Sequence, residues 1–143
     1  MPKTHIVAEV SLKPYRVGRR YATRSKQGYI KAVHRYIAKD FHKANPPDID
    51  TNTGGQTCVG PDKKGNAVYI VWLGASQDLA THELAHVVLD VFENVDIDPR
   101  HANGEPFCYF LQYLINETNE ALAPRKRKTP CQTSPSAQQT TAH

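Results

Sequence analysis

Ser76-Gln-Asp-Leu-Ala-Thr-His82-Glu83-Leu-Ala-His86-Val-Val-Leu-Asp90-Val-Phe-Glu93 decides how the rest of the chain is read. Leu84, Val87, Val88, Val91 and Phe92 recur at intervals of three and four, the period of a helix with one buried side. Ser76 directly precedes the pattern, where its hydroxyl can cap the first turn. Positions four apart share a helix face, so His82 and His86 can offer imidazole nitrogens to one metal ion. Glu83 stands one residue past the first ligand, within reach of a metal-bound water. His82, Glu83, His86, Asp90 and Glu93 share the side that the apolar residues leave. Two histidines and three carboxylates along a largely buried helix are costly unless a metal or polar partners answer them. The competing reading is a solvated face with accidental spacing.

Immediately upstream, Ala67-Val-Tyr-Ile-Val-Trp-Leu73 is the most strand-like run in the chain. With Thr57-Cys-Val-Gly60 it flanks the turn-rich Pro61-Asp-Lys-Lys-Gly-Asn66, which predicts a β-hairpin. Its second arm is expected to run beside a cleft and pair with an extended substrate, Val68 to Trp72 forming an apolar edge. Before the hairpin, residues 5–12 and 15–23 read as strands, the second with a break at Gly18. Residues 25–43 read as one amphipathic helix, with Tyr29/Ile30, Val33, Tyr36/Ile37 and Phe41 on one face. His34 and His42 on that helix are read as surface residues. Residues 45–55 form a loop. Beyond an acidic loop at 94–102, a last helix is predicted from about Asn103, with Pro106 in its first turn. Its apolar stripe is Phe107, Phe110/Leu111 and Leu114/Ile115, opposite Glu105, Cys108/Tyr109, Gln112 and Asn116.

These elements predict an α+β fold: a small antiparallel or mixed sheet packed against an N-terminal helix, the His-Glu-x-x-His helix and a C-terminal helix. The chain of 143 residues is long enough for one modest core, assigned to residues 1–123. Residues 124–143, rich in Pro, Ser, Thr and Gln, are read as a disordered, basic tail. No apolar run approaches the roughly 20 residues that span a bilayer, so no membrane partner is expected. The N-terminus has no export-signal pattern. Cys58, Cys108 and Cys131, an odd and sparse set, fit reduced thiols in a cytoplasm better than a disulfide framework.

The net charge of +4 conceals segregation. Residues 1–43 hold eleven Lys/Arg against Glu9 and Asp40, a balance of +9; residues 44–124 hold three Lys/Arg against twelve Asp/Glu, a balance of −9. A basic first third can face an acidic partner or nucleic acid. The plainer reading is a solvated basic helix and hairpin, since no aromatic-interleaved RNA-binding pattern or helix-turn-helix accompanies the charge.

His82-Glu83-Leu-Ala-His86-Val-Val-Leu-Asp90 resembles the active-site helix of the zincin metallopeptidases, and its terminal Asp90 is similar to the thermolysin-like gluzincin version. The resemblance covers residues 67–116 and extends to small His-Glu-x-x-His proteins of bacteriophages and to peptidases of mobile elements. It implies Zn2+ held by His82 and His86, Glu105 from the downstream helix as third ligand, and Glu83 as general base. A peptide or protein is then the substrate, hydrolysed by a zinc-activated water in a bacterial or phage-infected cytoplasm. His101 and Cys108 remain alternative third ligands. Asp90 would support a histidine from behind the metal. One turn after Glu105, where the family has an aspartate, this chain has Tyr109. Tyr109, Tyr113 and His101 are candidates to stabilise the oxyanion. The rival reading is an inactive zincin-like binding or assembly module with structural zinc or none.

Overall fold

Val68, Tyr69, Ile70, Val71, Trp72 and Leu73 are all buried. A run apolar on both faces must sit inside a sheet that is covered on both sides. The computed structural model, which describes residues 7–10, 12, 15, 18–44 and 53–124, places it so. Four strands, β1 (Ala8–Val10), β2 (Gly18–Thr23), β3 (Gln56–Pro61) and β4 (Ala67–Trp72), lie in the order β1-β2-β4-β3. β2 and β4 run parallel with Tyr21 beside Ile70, while β1 and β3 pair antiparallel to their neighbours. The expected hairpin is β3–β4, in register from Gln56–Trp72 to Pro61–Ala67. The fold is α+β with a mixed sheet.

Helices cover both faces. On one, α1 (Lys26–Tyr36) packs Tyr29, Ala32 and Val33 against Tyr21, Val68, Ile70 and Trp72. On the other, α3 (Gln77–Asn94) and α4 (Glu105–Leu122) pack Leu84, Val87, Val88, Val91, Phe92, Phe110 and Leu114 against Val10, Ala22, Tyr69, Val71 and Leu73. Tyr15 and Phe110 meet Phe92 at ring-centroid distances of 5.6 and 6.0 Å. No described helix is long and apolar enough to cross a membrane.

Two expectations are corrected. The helix predicted over 25–43 is two helices, because Ile37 adopts extended backbone (φ −88, ψ 140) and α2 (Lys39–Ala44) restarts beyond it. The break seats the Ile37 side chain against Gly60 and turns the Ala38 N–H to the Pro61 carbonyl at 2.8 Å. His42 folds back so that its Nε2 lies 3.1 Å from the carbonyl of Val33 in the last turn of α1. Second, β4 is an inner strand hydrogen-bonded on both sides, so it offers no edge to a substrate. The edge strand beside α3 is β3. The expected strand at 5–12 begins outside the described residues, and the tail assigned to 124–143 lies outside them from residue 125 onward.

Arg20 on β2 is fully buried between Val10 and Tyr69, and none of its three guanidinium nitrogens has a hydrogen-bond partner among the described residues. Burial pushes its pKa down to about 10, opposed by Tyr113 and Glu117 of α4; the group stays cationic at neutral pH. A buried charge without hydrogen bonds, only partly offset by Glu117 and Tyr113, opposes folding. Arg20→Met is therefore expected to leave stability unchanged or raise it, by up to about 1–4 kcal/mol in urea unfolding. A loss instead would mean that the guanidinium is held by an attraction stronger than its burial cost. In the same layer, Phe92→Ala is expected to cost about 3–5 kcal/mol.

Candidate metal centre on the His82 helix

The turn into α3 sets the phase of the site. Gly74 takes φ 67, and a β-carbon there would run into the Gly54 carbonyl, so the chain can pass from β4 to α3 only with glycine at this point. Ser76 follows in extended backbone, its Oγ accepting the Leu79 N–H at 3.2 Å. From this cap His82 and His86 fall on the solvent side of successive turns, while Glu83, one residue on, turns inward and is only 6% exposed.

The Nε2 atoms of His82 and His86 are 3.2 Å apart, with the ring planes at 84°. Two imidazole lone pairs repel at that separation unless a ring proton or a metal ion lies between them. Tetrahedral zinc with Zn–N of about 2.0–2.1 Å sets two of its nitrogens about 3.3 Å apart. The separation is that of a ring N–H···N hydrogen bond and matches as well the spacing that two ligands of one zinc ion would have.

Glu83 points between α3 and β3. Its Oε2 accepts a hydrogen bond from the Thr57 hydroxyl at 2.8 Å, and the same hydroxyl lies 3.1 Å from the Glu83 carbonyl. Gly55 makes the space: a β-carbon there would meet the Trp72 carbonyl at 2.9 Å and Glu83 Cγ at 3.1 Å. A cavity of about 420 Å3 opens beside it, lined by Gly55, Thr57, Val59, Glu83, His86 and Asp90 among others. Asp90 accepts from the Tyr69 hydroxyl at 2.6 Å and from Asn94 Nδ2 at 2.9 Å. Burial raises the Tyr69 pKa, so its hydroxyl stays protonated and donates. Asp90 is therefore tied to the sheet; the support it was expected to lend a histidine is not among its hydrogen bonds.

The downstream candidates stand elsewhere. Glu105 opens α4 on its exposed side, with Cys108 and Tyr109 on the same side and Tyr109 72% exposed. Tyr113 packs on Phe110, and His101 is exposed in the 3-10 turn His101–Gly104. None of them lines the cavity. Among the described residues no group of three or more His, Cys, Asp or Glu is placed to hold a metal. Glu83, His86, Asp90 and Thr57 thus line one cavity, with His82 against His86, and Glu105 and Tyr109 do not line it. Thr57 was not singled out from the sequence, since a threonine in a hairpin arm carries no signal until α3 is laid across it.

Comparison with protein-family models, curated proteins and solved structures finds no match to this chain.

Thr57→Val leaves the buried Glu83 carboxylate without this donor and is expected to lower stability by about 1–3 kcal/mol in urea unfolding. Added to Glu83→Ala, the same change should cost less, because the carboxylate is gone and only the Glu83 carbonyl remains for the hydroxyl. Full additivity of the two losses would show that the hydrogen bond carries no stability.

Proposed function

We propose that this chain is a zinc-dependent metallopeptidase in which His82 and His86 hold the metal and Glu83 is the general base. One observation carries the reading: the 3.2 Å approach of the two Nε2 atoms beside a buried, hydrogen-bonded glutamate that lines an open cavity. Zinc, when bound, would supply Lewis-acid activation of a water and of the peptide carbonyl. Glu83 accepts the proton of the attacking water and returns it to the leaving amine. Thr57 occupies Oε2 and fixes the carboxylate, leaving Oε1 for the proton. β3, paired among described strands with β4 alone, offers a free edge beside the cavity on which an extended peptide can add as a further strand. Cys58 and Cys108 are free thiols, which fits action in a reducing cytoplasm. For the third ligand the resemblance names Glu105, with His101 and Cys108 as its rivals.

A second reading has its own support. Two histidines without a third convergent protein ligand hold zinc weakly, which favours a binding or assembly module that shares the helix but not the chemistry.

Metal analysis and a casein-cleavage assay separate the two. Glu83→Gln is expected to retain zinc and lose about 10²–10⁴-fold in rate, whereas His82→Ala and His86→Ala lose the metal and the activity together. Undiminished cleavage by Glu83→Gln would sink the catalytic assignment. Zinc at full occupancy with no cleavage by the unaltered chain would establish the second reading. Glu105→Gln, His101→Ala and Cys108→Ser, compared by zinc affinity, test the third position: a marked loss in one identifies it as a ligand, and no loss in any leaves His82 and His86 as the whole protein ligand set.

A further inference from the structure

The opposite face of the sheet, under α1, carries a groove that the hydrolytic reading leaves unused. Two cavities of about 350 and 280 Å3 share Arg35 and Tyr36 as a common wall. Arg19 of β2 and Lys63 and Lys64 of the β3–β4 turn line the first, and Lys31 of α1 lines the second. At the shared wall Tyr36 stacks on Tyr21, with centroids 3.8 Å apart and planes within 7°. The Arg35 guanidinium lies 5.4 Å from the centroid of the Tyr36 ring. Two carboxylates are nearby. Asp62, in the wall of the first cavity, accepts the Lys64 and Asn66 N–H groups of its own loop at 2.7 and 2.9 Å, and Arg19 is engaged first by the Tyr21 side chain and then by Glu9 of β1 and Asp62. Arg35, Lys63 and Lys64 form no ion pair among the described residues.

We propose that this groove binds single-stranded nucleic acid. Arg19, Lys31, Lys63 and Lys64 follow the phosphate backbone, and the exposed Arg35 guanidinium, held over Tyr36 and backed by buried Tyr21, receives a base. Cations alone would serve any acidic partner. What selects the single strand is a stack of aromatic planes with a guanidinium beside it, set among those cations; unpaired bases pack on both kinds of surface, while a duplex keeps its base faces covered. The arrangement draws on three separate elements, β2, α1 and the β3–β4 turn, so no contiguous motif announces it. It lies across the sheet from His82 and stands independently of the proposed hydrolysis.

The test is fluorescence anisotropy with labelled oligo(dT) and oligo(U) of about 20 nucleotides, matched duplexes, and a salt titration of the full chain. Single strands are expected to bind more tightly than duplex, with a slope of log K on log salt of about −0.7 per phosphate neutralised. Lys63→Ala/Lys64→Ala should flatten that slope by about 1.4, and Arg35→Ala should weaken binding about tenfold through the lost stacking surface. Lys39→Ala/Lys43→Ala, which removes two charges on α2 outside the groove, should change affinity far less. All of these side chains are exposed, so loss of the fold does not account for an effect. No binding, equal affinity for duplex, competition by polyglutamate as effective as by oligonucleotide, or an equal loss in the Lys39/Lys43 pair would each overturn the proposal.

Discussion

β4 is the constraint from which the rest follows. It is hydrogen-bonded on both sides and apolar on both faces, so it is stable only if neighbouring strands flank it and helices cover it above and below. Its parallel partner β2 cannot be reached by a tight turn. The chain between them therefore supplies α1 and α2 for one face and β3 for the far edge before returning as β4. The other face is closed by α4 together with α3, the helix that follows β4 directly. The glycine turn at Gly74 and the cap at Ser76 bring α3 back over the sheet, and with it the two histidines.

The divergence of His82 and Glu83 follows from helical rotation. Consecutive residues point about 100° apart, so α3 can leave both histidines on its open side while its next residue turns toward β3. The inward carboxylate needs a donor and room, which Thr57 and Gly55 provide from the edge strand. Buried ionisable groups with a specific partner, next to an open cavity, are common at functional sites. Here the carboxylate, the histidine pair and the edge strand β3 lie together.

α4 shows how a correctly read pattern can still separate residues thought to act together. Its stripe of Phe107, Phe110, Leu111, Leu114 and Ile115 is legible in the sequence and does face the core. Burying that stripe turns the opposite face to water, and Glu105, Cys108 and Tyr109 lie on it. Spacing along the chain places Glu105 in the first turn of a helix close after His86; which way that turn faces is decided by the packing of the stripe. Ala102, Asn103 and Gly104, all with positive φ, set the direction from which α4 enters. In α1 the same kind of local reading overran its end. The apolar period continues through Ile37 to Phe41, but the space over Gly60 draws Ile37 out of the helix.

Read alone, the sequence determined what depends on neighbours along the chain: the strand of β4, the hairpin turn, the cap at Ser76, and the i, i+4 histidines of α3. These rest on local backbone geometry and on apolar periodicity, which a chain carries with it wherever it packs. Tertiary structure alone decided that β4 is internal, that β3 is the edge, and that Thr57 holds Glu83. It also buried Arg20 and gathered Tyr36 with cations from three elements. Such relations join residues distant in sequence, and they exist only once the sheet order and the faces of the helices have been chosen by burial.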